Sequence, residues 1–203
     1  MNIFITDKDP TIAAQNLDDK RLIHMPKECI ELIAIFIWYN THKWIVPMPF
    51  WHKINEQRKL GDLISHPINK WVREDGANIT WLYRHFTAMI LECLHRFSDG
   101  KVVNPFDFED VEYTNPYINS IKKWSAIRIQ IEKTIEPFLE RDKEVDKFHN
   151  SSLFKKESDV IYAYRKTMIV KWFETDKNKD NKWTKRGIPE WVGNMKPSQL
   201  NIV

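Results

Sequence analysis

The chain has 203 residues, 42% hydrophobic and 29% charged, which excludes a disordered chain and allows a core that stands without disulfides or a structural metal. Its 5 glycines are too few for the many tight turns of an all-β or doubly wound fold. The net charge of +3 is small but uneven: residues 151–203 hold 11 Lys/Arg against 6 Asp/Glu, while the rest of the chain holds 20 against 22.

In chain order, Ile3-Phe4-Ile5 is a short apolar run, an extended lead-in or a short strand. Asp9 reads as a helix N-cap with Pro10 at the first helical position, and Ile12, Ala13, Leu17, Leu22 and Met25 follow at helical spacing. Pro26 is expected to kink this helix or to start a second one, and the stretch from there to about Tyr39 is apolar on most sides. Residues 46–50 read as a loop, 54–64 as a short helix broken by His66-Pro67, and Asn69 to Arg73 as the start of another. The strongest helical pattern runs from about Ala77 to Phe97, with Ile79, Leu82, Phe86, Met89, Cys93 and Phe97 on one face. Residues 104–116 are acidic and irregular. Ile118 to Glu140 is helical with Pro137 as cap or kink, and residues 143–157 form a charged surface connection. Ser158-Asp159 opens a helix to about Phe173, residues 176–182 are a polar insertion, and residues 183–191 are aromatic and basic. The expected fold is all-α: an irregular single-domain bundle of about six to eight helices over 1–203, with a basic aromatic segment at 158–203.

Cys29 and Cys93, the only cysteines, lie among apolar residues and read as buried free thiols. The N-terminus lacks the pattern of a signal peptide and the longest apolar stretch, Leu32 to Tyr39, is too short for a bilayer span. A cytoplasmic protein with no membrane partner is therefore expected, in the host cytoplasm if the chain is phage-encoded.

Three constellations carry potential chemistry. Lys20, His24 and Glu28 are spaced i, i+4, i+8 on the first long helix, flanked by Asp19 and Lys27. A carboxylate beside cations in an apolar helix suits general acid–base or electrostatic catalysis, with Glu28 as the carboxylate. The same spacing describes a salt-bridge ladder on a solvated face. His85, Glu92 and Arg96 share one side of the later helix, either as its ordinary polar face or as contacts to a phosphate or base. Tyr164, Arg165, Lys171, Trp183 and Arg186 interleave cations with aromatics, a composition that grips phosphates and stacks bases, or else divides into core rings and solvated lysines. Asp176-x-Asn178-x-Asp180 lacks the glycine and closing glutamate of a calcium loop, and no histidine or cysteine spacing suits zinc, so no metal and no cofactor is expected.

The segment Leu17-x-Asp19-x-x-Leu22 with Glu28 six residues on is similar to the catalytic helix of pyrimidine-dimer DNA glycosylases of the endonuclease V type. In that overlay the family's catalytic glutamate falls on Glu28 and a basic residue before it on Lys27. The helix pattern Trp81-Leu82, His85, Met89, Glu92, Arg96 resembles the wider group's middle helix. Over most of its length the chain resembles uncharacterised phage proteins through Asp7-x-Asp9-Pro10, Asp19-Lys20, His66-Pro67 with Trp71, Ala163-Tyr164-Arg165 and Lys182-Trp183 with Arg186, Pro189 and Trp191. A looser similarity is to the α-glutamyl/putrescinyl thymine pyrophosphorylases.

The resemblance implies an enzyme acting on a thymine-derived or damaged pyrimidine in double-stranded DNA. Its catalytic candidates are Glu28, Lys20, Asp19 and Lys27, and its nucleic-acid contacts are His85, Arg96, Tyr164, Arg165, Lys171, Trp183 and Arg186. The endonuclease V family attacks the sugar C1′ with its N-terminal amine. Here Met1 precedes Asn2 and the overlay places Asp7 at the nucleophile's position, so Lys20 or Lys27 would have to supply the amine. The looser similarity implies instead a transferase with a small amine co-substrate. A non-catalytic DNA-binding or host-interaction factor is the alternative from another class.

Overall fold

The computed structural model describes residues 3–43, 57–98, 116–150, 152–175 and 181–194. Among these residues the regular elements are all helical, and the eight α-helices fall at the upper end of the expected number. Ile3, Phe4 and Ile5 form the extended lead-in rather than a strand, and all three are buried. The lead-in is tied to the first helix by Thr6, whose Oγ1 donates to the Ala13 carbonyl at 3.4 Å and accepts from Asn16 Nδ2 at 3.2 Å.

Helix α1 spans Pro10–Gln15, with Asp9 Oδ1 accepting the amides of Thr11 and Ile12 at 2.6 and 3.3 Å. The helical pattern then breaks at residues 16–18, and no second helix starts at Pro26. Asp18 caps a new helix, α2 (Asp19–Thr41), which continues through Pro26. A proline removes the amide that would bond the carbonyl four residues earlier. That carbonyl belongs to Leu22, and the Cys93 thiol of a neighbouring helix donates to it at 3.6 Å. The orphaned acceptor is thereby satisfied, and the helix continues.

Helices α3 (Gln57–Ser65) and α4 (Pro67–Glu74) meet at His66, whose Nδ1 accepts the Ile68 amide at 3.3 Å. Helix α5 (Gly76–Phe97) is the central element and packs against α1, α2, α4 and helix α6 (Pro116–Ile135). Ile79, Leu82, Phe86, Met89 and Cys93 of α5 are completely buried. Burying aliphatic and aromatic side chains of this kind stabilises the fold by about 1.5–3 kcal/mol each. A short 3₁₀ turn at Glu136–Phe138 follows α6 where Pro137 interrupts the pattern. Asp159 caps helix α7 (Val160–Val170), which ends three residues short of the expected Phe173 and passes into a π-turn at Lys171–Thr175. Helix α8 is the short Glu190–Gly193.

The connection at 143–150 is more than a charged surface link. The Trp71 indole donates to the Lys147 carbonyl at 2.8 Å, and Phe148 packs edge-on to Trp81 at 5.4 Å. The expected loop at 46–50, the acidic stretch at 104–115 and the calcium-like pattern at 176–180 lie outside the described residues. Among the described residues no helix is long and apolar enough to cross a membrane.

Candidate functional site

The N-terminus of α2 is a junction of charges. Asp18 is fully buried and accepts from the Arg21 amide at 3.1 Å, the Arg21 guanidinium at 2.6 Å and the Trp172 indole. Asp19 points to the other side, where it accepts from Arg96 Nη1 at 2.9 Å and from the hydroxyl of Thr184 at 2.6 Å. Arg96 is 1% exposed. Its guanidinium also donates to Glu92 at 2.7 Å and to the carbonyls of Gln15 and Leu17, both at 2.9 Å, where α1 ends. Glu92 in turn receives both Nε and Nη2 of Arg186, at 2.9 and 2.8 Å. Burial pushes the Glu92 carboxyl up, and the hydrogen bonds from Arg186 and Arg96 outweigh that push and hold it below its ordinary value. The result is an unbroken chain, Arg186–Glu92–Arg96–Asp19–Thr184, that locks the segment at 181–194 onto α2 and α5.

Several expected nucleic-acid contacts are spent inside the fold. His85 is 1% exposed, stacks on Trp81 with ring centroids 4.8 Å apart, and its Nδ1 lies 2.9 Å from the Pro10 carbonyl. Tyr164 is fully buried and donates to the His149 carbonyl at 3.2 Å. Trp183 donates to the Asn16 carbonyl at 3.2 Å and sits edge-on to Trp172. His85, Arg96, Tyr164 and Trp183, expected as nucleic-acid contacts, are thus buried and each is hydrogen-bonded inside the fold. Arg165 is half-buried and donates to the Thr6 carbonyl at 2.8 Å and to Asp7 at 3.1 Å. Asp7 thus serves as a partner for Arg165 and ties down the lead-in. Lys171 is half-buried with its ammonium 5.9 Å from the Phe4 ring, and Arg186 keeps partial exposure beside Glu92.

The buried imidazole has a consequence in acid. Burial pushes the His85 pKa down from 6.5 to about 4, against the raising effect of the Pro10 carbonyl. The unfolded chain therefore binds the proton first. Above about pH 6.5 the contribution of neutral His85 is complete, and it is lost progressively as pH falls toward 4, up to about 3 kcal/mol in all. Denaturant titrations from pH 7 to 4 are expected to show this loss, with a shallower slope in His85→Gln, whose amide donates to Pro10 without titrating. Equal slopes would remove His85 as the cause.

The outer face of α2 is organised differently. Lys20, His24 and Lys27 are exposed and Glu28 is half-buried. Glu31, absent from the stripe expected on sequence grounds, has a side chain 25% exposed, with Lys27 Nζ 4.0 Å from its Oε1. Burial raises the Glu31 pKa, Lys27 lowers it, and the nearby Glu28 carboxylate raises it again. The signal that could have found it is its spacing, three residues after Glu28 and four after Lys27. Burial and the Glu28 charge push the Cys29 thiol far up, so it is no nucleophile. Asp19 belongs to the junction and not to this face.

Two clefts of about 550 and 650 Å³ flank the start of α1 and the exposed side of α5, and neither is lined by Glu28, Lys20 or Lys27. Glu28, His85 and Arg165 do not converge on either. No group of three or more metal-ligating side chains occurs among the described residues.

These features define an all-helical protein with an open acidic and basic face on α2 and a C-terminal segment clamped across the start of that helix. Residues 1–103 match the family model for pyrimidine dimer DNA glycosylase, half of the chain, and the chain belongs to that family. The matched region runs from the lead-in through α5 and includes the whole open face of α2. It stops short of Trp172, Thr184 and Arg186, which complete the junction from outside it. Among curated proteins and among solved structures nothing matches. The family defines a glycosylase-like protein whose substrate is DNA.

Proposed function

We propose that this protein excises a damaged pyrimidine from duplex DNA, with Glu28 stabilising the positive charge that develops at the sugar C1′ and Lys20 and Lys27 holding the flanking phosphates. The observation that carries this reading is the separation of roles on α2. Asp19 and Arg96 pair with each other where the helices pack, and Lys20, Lys27 and Glu28 lie on the solvent-facing side of the family-matched α2, both lysines exposed and Glu28 half-buried. A carboxylate next to a developing oxocarbenium is the electrostatic device such a reaction needs. A base inside a duplex must leave the stack to be reached. Both lysines are exposed, which suits a phosphate contact better than an amine nucleophile activated by burial.

The test is direct. The protein is incubated with ultraviolet-irradiated, abasic and hydroxymethyluracil-containing duplexes, and released bases are analysed by mass spectrometry. Excision from the irradiated duplex is expected. Borohydride added during turnover reports the nucleophile. An adduct that maps to Lys20 or Lys27 would replace their phosphate role with a covalent one. Silence on all three substrates with salt-sensitive binding retained would make the protein a DNA-binding factor and sink the proposal.

A further inference from the structure

The two clefts share one wall, built by Asp9 and Pro10 on one side and Arg84 and Arg141 on the other. Arg84 is exposed on α5 and its Nη2 donates to the Arg141 main-chain carbonyl at 2.9 Å, so the Arg84 side chain meets the Arg141 backbone at the wall the two clefts share. Three other cations around the clefts are neutralised, whereas the exposed Lys8 of the first cleft is in no ion pair among the described residues. Arg128 pairs with Glu132 at 3.0 Å, Arg186 with Glu92 at 2.8 Å, and Lys143 with Asp75 at 2.6 Å. Among the described residues Arg84 and Arg141 have no carboxylate within ion-pair distance. Two exposed arginines that line both clefts and have no carboxylate partner offer positive charge to one phosphate.

Each side of the shared wall has room for a base. Both volumes fall inside the range of roughly 300–1,000 Å³ of small-molecule sites. In the first cleft Trp81 and the half-exposed Phe148 form an aromatic wall, and the Asp142 and Glu144 carboxylates stand at its rim as acceptors. The other two carboxylates there are committed, Asp7 to Arg165 and Asp9 to the amides that open α1. The second cleft has apolar surface from Ala88 and the exposed Leu91, with the neutral Arg128–Glu132 pair beside it.

We infer that this twin cleft binds a dinucleotide step of single-stranded DNA, with the bridging phosphodiester on Arg84 and Arg141 and one base on each side. Resting on the DNA-directed reading above, it adds a strand contact that the α2 face does not provide, and it puts Arg141, outside the family-matched region, in contact with nucleic acid.

Fluorescence anisotropy of the full chain with 5′-labelled tri-thymidylate tests it. Arg84→Gln with Arg141→Gln is expected to weaken binding at least tenfold and to reduce the salt slope by about 0.7, because one phosphate is no longer neutralised. Circular dichroism checks that the double variant remains folded. Unchanged affinity in that variant, or no binding by the unmodified chain, overturns the inference. Equal displacement of the label by inorganic phosphate and by unlabelled tri-thymidylate also overturns it, because the shared wall would then hold a lone anion. Glu28→Gln is the control that separates the two readings: it leaves tri-thymidylate binding intact whatever it does to base excision.

Discussion

Arg96→Ala is expected to cost roughly 3–5 kcal/mol of stability, the range for breaking a buried ion pair by removing one partner. At about 2–4 °C per kcal/mol for a chain of this size, the melting temperature falls by on the order of 10 °C. The cause is the number of groups left behind. Arg96 is 1% exposed and serves two carboxylates, Glu92 and Asp19, together with the carbonyls of Gln15 and Leu17. Alanine would leave both carbonyls without this donor and shift both carboxylates onto their remaining partners, Arg186 and Thr184. The Glu92 carboxyl is held below its ordinary value in the fold, so its contribution is complete above the unfolded value and is lost as pH falls through the lower, folded one. The variant should therefore also lose part of its resistance to acid. A calorimetric loss below about 1 kcal/mol, the worth of an ordinary exposed pair, would show that the junction is solvated and not structural.

Glu28→Gln is the second large effect. Removal of one preorganised electrostatic partner from a reacting centre typically lowers turnover by about 10²–10³-fold. The amide keeps the shape of the carboxylate, and DNA affinity at fixed salt is expected to change by no more than about twofold, since phosphates are held by cations and not by Glu28. Single-turnover excision from irradiated duplex together with equilibrium binding separates the two quantities. Glu31→Gln is the informative comparison, because Glu31 shares the face and burial raises its pKa. Full activity in Glu28→Gln combined with loss in Glu31→Gln would transfer the role to Glu31.

Much of the fold was legible along the chain because its signals are local. Asp9 with Pro10 and Asp159 each mark a helix start through a side chain that bonds an amide two or three residues on, whereas His66-Pro67, expected only as a break before a helix at Asn69, itself opens α4. The face of α5 follows from 3.6-residue periodicity alone. That α2 continues through Pro26 has a non-local origin: the carbonyl the proline frees is taken by Cys93, 71 residues away in sequence. The stripe on α2 is mixed in its exposure. Lys20, His24 and Lys27 are solvated, as a ladder would have them, while Glu28 and Glu31 are partly withdrawn from solvent.

Taken alone, the sequence determined an all-α chain with its caps, its central helix and a carboxylate–lysine stripe on the family's helix, since each depends on residues within about two turns of one another. Only the tertiary structure decided which charges are buried and with which partners. Arg96 meets Asp19 across 77 residues, Arg186 meets Glu92 across 94, and Trp172 meets Asp18 across 154. Spacing assigns a side chain to a helix face but not to a partner, so cations that look alike in sequence divide into buried clamps and open contacts only once the helices are packed.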